Sequence, residues 1–306
     1  MSWRRAALAG AACVLGITAG GFAARGADRA PRSDFRVDSK LVLIPVSVTD
    51  PKNHAVTGLP REAFRIFEGK VEQTLVQFGA EDAPLSIGIV FDSSGSMRDK
   101  IAQSRNAVAR FLDLANPEDE FFLVDFNAKA ELTVPFTDDA SLIQNQLLNT
   151  RSGGRTALLD AVTLAIHSMK EARNPRRALL IISDGGDNDS RYTEFEIRRR
   201  VRESDLWIYS IGFDNHRGAM LPEEDHGSAL LATLTEATGG RYFAVQNPSE
   251  VPDIAAKIGL ELRNQYVIGY RPAGEARNGA YHKVQVKMMA GRDLRVTWRP
   301  GYYDPE

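Results

Sequence analysis

Asp92, Ser94 and Ser96 alternate along one short stretch, separated by Ser93 and Gly95. A carboxylate and hydroxyls at alternating positions are hard oxygen ligands, suited to a divalent cation. The small Gly95 gives the turn between them its backbone freedom. The same residue types also cap helices, and either Ser96 or Asp99 is placed to cap the helix that follows. The two roles are compatible, because a capping serine keeps a lone pair for a metal. Two later stretches carry matching chemistry. Gly153-Gly154-Arg155-Thr156 contributes a hydroxyl at Thr156, and Ser183-Asp184-Gly185-Gly186 contributes a carboxylate at Asp184. If the three loops meet, Asp92, Ser94, Ser96, Thr156 and Asp184 supply two carboxylates and three hydroxyls, most of an octahedral Mg²⁺ shell.

Such loops need rigid supports. Residues 85–91 form an apolar run with almost no polar interruption. A run this short reads as a parallel strand buried on both faces. Asp92 and the serines fall just past its C-terminal end, and in open α/β sheets that crevice is where ligands bind. Ile101, Val108, Phe111 and Leu112 then recur at helical spacing. Residues 178–182 form a second buried-strand run, ending at Ser183-Asp184. Thr156 opens a long apolar helix carrying Leu158, Leu159, Val162, Ile166 and Met169.

Asp92-x-Ser94-x-Ser96, a Thr156 at a helix start and Asp184-Gly185 together resemble the metal-ion-dependent adhesion site of von Willebrand factor type A domains. The five positions follow the family's order, and the resemblance spans roughly residues 84 to 264. The flanks Asp34-Phe35-Arg36-Val37-Asp38 and Gln265-Tyr266-Val267-Ile268-Gly269-Tyr270 look like a bacterial exported subgroup of that family. The resemblance implies that Ser94, Ser96 and Thr156 ligate Mg²⁺ through hydroxyls, with Mn²⁺ or Ca²⁺ as alternatives. It implies that Asp92 and Asp184 act largely through water, and that a partner's Asp or Glu takes an open position. In similar domains a two-state movement adjusts affinity, and Gly153 and Gly154 would let Thr156 make it.

Composition narrows the function classes. The chain has 306 residues and a formal net charge of −2, so no basic footprint argues for nucleic acid. Its one tight basic run, Arg198-Arg199-Arg200, lies four residues from Glu194, Glu203 and Glu196, the spacing of ion pairs on a solvated helix face. Arg4 and Arg5 precede an uncharged, Gly- and Ala-rich stretch from Ala6 to Ala24. A charged start, a short apolar core and small residues near Ala24 and Gly26 predict a signal peptide over residues 1–26. The folded part is therefore expected outside the cytoplasm, periplasmic or extracellular, with membrane contact only through that segment. Cys13 is the single cysteine, so the mature chain has no disulfide and no thiol nucleophile.

The pattern along the chain predicts a polar linker over 27–34 and a small β unit over 35–82. In that unit Val42, Ile44, Val46 and Val48 alternate with Leu43, Pro45, Ser47 and Thr49, and Pro45 suggests an edge strand. Strands alternating with helices over 83–264 predict a doubly wound, Rossmann-like α/β domain. Its sheet is mostly parallel, with one reversed strand joined by the short turn Asn127-Ala128-Lys129. Residues 265–306 carry three half-buried strands, and their small size predicts that they pack with the N-terminal unit. Asp214 to His226 reads as a solvated insertion on the metal rim, since its two histidines and four carboxylates fit no metal signature. Asp187-Asn188-Asp189 reads as turn and helix-start residues, and His54 and His282 fall in or beside turns.

Enzyme readings lack their parts. There is no Gly-x-Gly-x-x-Gly, no Walker loop and no Gly-x-Ser-x-Gly elbow. A Mg²⁺-dependent phosphohydrolase with Asp92 as nucleophile usually has an aspartate two residues on, where this chain has Ser94. The sequence thus points to an exported, non-catalytic binding module for a protein partner presenting Asp or Glu. The alternatives are that phosphohydrolase and a structural envelope protein with a vestigial metal site. Oligomeric state is not encoded in any of these signals.

Overall fold

Apolar runs without polar interruption become the strands of one central sheet, while alternating runs become a separate β-sandwich. The computed structural model describes residues 41–80, 82–213, 222–272, 279–289 and 293–304. The expected signal peptide, the linker, the Asp34 to Asp38 flank and residues 214–221 of the acidic insertion lie outside the described residues.

The N-terminal strands are β1 (Val42–Thr49), β2 (Phe64–Glu68), β3 (Val71–Gln73) and β4 (Leu75–Gly79). The α/β layer runs through β5 (Leu85–Asp92), α1 (Ile101–Leu112), β6 (Glu120–Phe126), β7 (Ala130–Thr137), α2 (Ala140–Asn149) and α3 (Leu158–Ser168). It continues with β8 (Arg176–Ser183), α4 (Glu194–Glu203), β9 (Trp207–Phe213), α5 (Pro222–Glu236), β10 (Tyr242–Val245) and α6 (Val251–Arg263). Then come β11 (Tyr266–Tyr270), β12 (Tyr281–Met288), β13 (Arg295–Trp298) and β14 (Gly301–Tyr303).

The central sheet has the order β10-β9-β8-β5-β6-β7. All pairs are parallel except β6 with β7, the reversed edge strand expected from the short turn. Every residue of β5 is buried. Leu85, Ile87, Ile89 and Phe91 face a core that includes Val108 and Phe111 of α1 and Ala255 and Ile258 of α6. Val90 faces the opposite core, with Leu158 and Val162 of α3 and Ile197 of α4. Helices on both faces are what a near-continuous apolar strand requires.

The sandwich has two antiparallel four-stranded sheets, β13-β1-β11-β4 and β14-β12-β2-β3. Strands from both ends of the described chain contribute to each, alternating in the first and meeting at the β12–β2 pair in the second. Val42, Ile44, Val46 and Val48 of β1 meet Tyr266, Ile268 and Tyr270 of β11 and Phe64 and Ile66 of β2 in one core. Neither segment could bury that face alone. The edge position expected for β1 is wrong, because β1 lies between β11 and β13. Pro45 is tolerated because pairing with β13 begins only at Val46, so the strand has a local edge there. The short β3 and β14 escape pattern reading, being three residues each.

Sandwich and α/β layer form one compact unit. Arg241, at the start of β10, donates to Glu261 Oε2 of α6 at 2.8 Å and also contacts Thr49 and Asn53 beside β1. Tyr209 OH donates to Glu261 Oε1 at 3.0 Å. The turn after α5 passes so close that a Cβ on Gly239 would lie 2.3 Å from the Trp298 carbonyl carbon, and its φ is +82°. Only glycine satisfies both demands. The acidic insertion is shorter than expected, since helix α5 already begins at Pro222.

Candidate metal centre

Asp92 is the last residue of β5 and is fully buried. Its Oδ1 accepts the Ser94 N–H at 2.8 Å, closing a tight turn. Its Oδ2 accepts the Ser183 hydroxyl at 2.5 Å, and Ser183 Oγ accepts the Gly185 N–H at 3.0 Å. Burial, and after it the charge of Asp184, push Asp92 up to about 7, while the bonds from Ser183 and Ser94 pull it down. The Asp184 carboxylate is therefore within electrostatic reach of Asp92 at the C-terminal edge of the sheet.

The chain then makes a single 3-10 turn over Gly95–Met97. Met97 is fully buried and pins that turn, worth about 2 kcal/mol for a side chain of this size. The anchoring leaves Ser94 buried and Ser96 exposed, with their hydroxyl oxygens 3.1 Å apart. The capping alternative fails here. The N-cap of α1 is Lys100, and no side chain caps that end. The two serine hydroxyls are thus not consumed by the helix.

Backbone bonds lace the three loops together. Gly95 N–H donates to Gly154 O at 3.0 Å, and Gly153 N–H to Ser93 O at 2.8 Å. Thr156 is buried and lies two residues before α3 rather than at its first residue. Its N–H donates to Asn188 Oδ1 at 3.0 Å, and its carbonyl accepts the N–H groups of Asn188 and Asp189 at 2.9 and 3.1 Å. Any shift of Thr156 must carry the 188–189 segment with it or break those bonds. Gly185 holds φ +83° and packs so tightly on Gly227 that a Cβ would lie 2.5 Å from its carbonyl carbon. That contact sets the path of the chain leaving Asp184.

Asp184 accepts a hydrogen bond from Lys100 Nζ at 3.1 Å, and both side chains are about nine-tenths buried. The Lys100 ammonium also lies 5.5 Å from the ring centre of Phe213. Sequence reasoning missed the roles of Lys100, Ser183 and Asn188. The first reads as the start of a helix, and the other two as turn residues after a strand. Asp187 and Asp189 take structural roles. Asp187 accepts the Leu159 N–H at 3.3 Å in the first turn of α3, and Asp189 pairs with Arg155 at 3.0 Å. Helix α4 is capped separately, by Thr193 and Glu196. Among the described residues no group of three or more His, Cys, Asp or Glu side chains is arranged to hold a metal. Whatever binds at the rim must accept hydroxyl oxygens. A hard divalent cation fits that donor set, and its charge would offset the burial and the Asp184 repulsion that make Asp92 hard to ionise.

A family model described as von Willebrand factor type A domain matches residues 87–186, which contain all five rim residues. Over residues 87–186 the chain is thus similar to a von Willebrand factor type A domain. The inter-alpha-trypsin inhibitor heavy chain H4 of Homo sapiens is 30% identical over 154 residues, 44% of this chain and 17% of that protein. The Bos taurus protein of the same name is 25% identical over 149 residues, 43% of this chain and 16% of its own length. The match thus spans about a sixth of these relatives, and what the whole relatives do does not carry over with it. The solved structure of a von Willebrand factor type A protein from Catenulispora acidiphila covers 88% of this chain and 74% of its own, at TM-score 0.51 and 11% identity. At that identity the likeness concerns the fold of the domain alone. Among the described residues no helix is long and apolar enough to cross a membrane.

Proposed function

We propose that this protein is an exported, non-catalytic binding module that captures a carboxylate of a protein partner through a divalent cation, Mg²⁺ by preference. The observation that carries the proposal is the pair of neighbouring hydroxyls, Ser94 and Ser96, 3.1 Å apart and not used to cap a helix, beside the buried Asp92 carboxylate and the Asp184–Lys100 pair. Ser94, Ser96 and Thr156 would hold the ion through hydroxyl oxygens, and Asp92 and Asp184 would balance its charge. Mg²⁺ favours six oxygens and keeps exchangeable waters, so a partner's Asp or Glu can replace one. Neutral hydroxyl ligands leave the ion electrophilic enough to gain from that exchange. Mn²⁺ or Ca²⁺ would serve the same oxygen set. The arginine-led apolar N-terminus supports export to the periplasm or cell exterior.

A nucleophilic role for Asp92 is disfavoured. Both its oxygens are engaged and it is fully buried, so neither is presented to a substrate. The test uses the purified full chain. Mg²⁺ or Mn²⁺ should raise its melting temperature, and Asp92→Ala combined with Ser94→Ala should abolish the rise. Capture of envelope proteins should need the metal, fail in EDTA and weaken in Thr156→Ala. No melting shift with either ion in the wild type would refute the metal reading, and equal capture in EDTA would refute the carboxylate bridge.

A further inference from the structure

We propose that Lys100 is a built-in counter-cation that sets the charge of the metal site, weakening metal binding while favouring the partner's carboxylate. The inference rests on the metal reading above. Lys100 is 7% exposed, and its ammonium sits 3.1 Å from Asp184 Oδ2, one of the two carboxylates at the rim. Its backbone is held from both sides. Its N–H donates to Met97 O at 2.9 Å, and its carbonyl accepts the Ser104 hydroxyl at 3.1 Å. The ammonium is therefore delivered to the site by the same turn that presents Ser94 and Ser96.

The charge count gives this placement its consequence. With Asp92 and Asp184 ionised, the carboxylates carry two negative charges and Lys100 returns one positive charge. An arriving divalent cation is attracted by a net single negative charge rather than two. Once it is bound, the cluster carries one net positive charge, where a site without Lys100 would be neutral. That surplus attracts an anionic ligand and disfavours a cationic one. In a partly desolvated site a unit charge at close range changes affinity substantially. A purely structural ion pair would behave differently. Buried pairs replaced by apolar groups of similar volume often leave stability unchanged or improved, and such a role gives no reason for metal affinity to move.

The test is isothermal titration of the metal-free full chain with Mg²⁺ and with Mn²⁺, for wild type, Lys100→Met and Lys100→Arg. Lys100→Met keeps an unbranched side chain of similar length and removes the charge, and it should bind either ion about tenfold more tightly. Lys100→Arg keeps the charge and should stay near wild type. Acetate then serves as the carboxylate probe on the Mn²⁺-loaded protein, and it should bind Lys100→Met several-fold more weakly than wild type. If Lys100→Met does not fold, Lys100→Gln is measured in its place. Equal or weaker metal affinity in the folded neutral variant overturns the inference and leaves the metal reading intact. Unchanged acetate binding overturns the carboxylate half of it. Absence of metal binding in wild type and neutral variant alike overturns both the inference and the reading beneath it.

Discussion

Two clusters of charge are buried in this protein, and they are built in opposite ways. At the junction between sandwich and α/β layer, Arg241 and Glu261 pair at 2.8 Å, with Tyr209, Thr49 and Asn53 bonding the remaining atoms. Cation and anion match one to one. At the rim, Lys100 pairs with Asp184 while Asp92 has only hydroxyl and backbone donors, and the nearby hydroxyls of Ser94 and Ser96 bond to each other. The first cluster is closed and holds two layers together. The second is short of positive charge, and burial and Asp184 push the Asp92 pKa up to about 7. A buried polar cluster that satisfies itself reads as structure, and one that does not reads as a place for a ligand.

Breaking each cluster should separate the two. The largest loss is expected at the junction. Glu261→Ala strands a buried Arg241 and should cost about 3–5 kcal/mol in urea unfolding. Replacing both Arg241 and Glu261 with methionine should recover most of that loss. At the rim, Asp92→Ala with Ser94→Ala should cost little without metal. It should remove the metal-linked gain, about 2.7 kcal/mol at a metal concentration 100 times the dissociation constant. A junction variant that lost its metal response while still folded would dissolve the distinction between the clusters.

A third cluster lies between those extremes. His282 on β12 bonds Glu68 Oε1 at 2.7 Å and Asp304 Oδ2 at 2.9 Å, stacks on Tyr302 and clasps β2 to the end of the described chain. Burial lowers its pKa, but the two carboxylates outweigh burial and the net shift is upward. A raised folded pKa means the protonated form is favoured by folding. The stabilisation is full below the ordinary histidine value near 6.5 and fades as pH rises through the higher folded value. The difference in urea midpoint between wild type and His282→Gln should therefore be largest at pH 6 and shrink by pH 9. An equal difference at both would show that the clasp works through packing alone. The smallest effect is expected on the exposed face of α4, where Arg198 pairs with Glu194 at 3.0 Å. Glu194→Ala should change stability by no more than about 0.5 kcal/mol and leave metal binding untouched.

Local and periodic signals in the sequence determined the longer strands, the helices, the reversed edge strand and the motif residues, but not the three-residue strands β3 and β14. Buried parallel strands announce themselves as unbroken apolar runs, and metal-ligand loops by oxygen residues at their ends. The helix-face ion pairs of Arg198 and Arg199 were legible at spacing four, although Glu196 turned to the cap of α4 instead of Arg200. What only the tertiary structure decided is pairing between distant residues. Ser183 reaches Asp92 across 91 positions, Lys100 reaches Asp184 across 84, and His282 reaches Glu68 across 214. Nothing in the neighbourhood of a helix-start lysine or a turn histidine marks its partner, because sheet order and loop path set those distances. The same limit placed β1 inside its sheet despite Pro45, since a strand's neighbours are chosen by the whole fold. Residue type thus decided which chemistry was available at the rim, and packing decided the charge balance under which it operates.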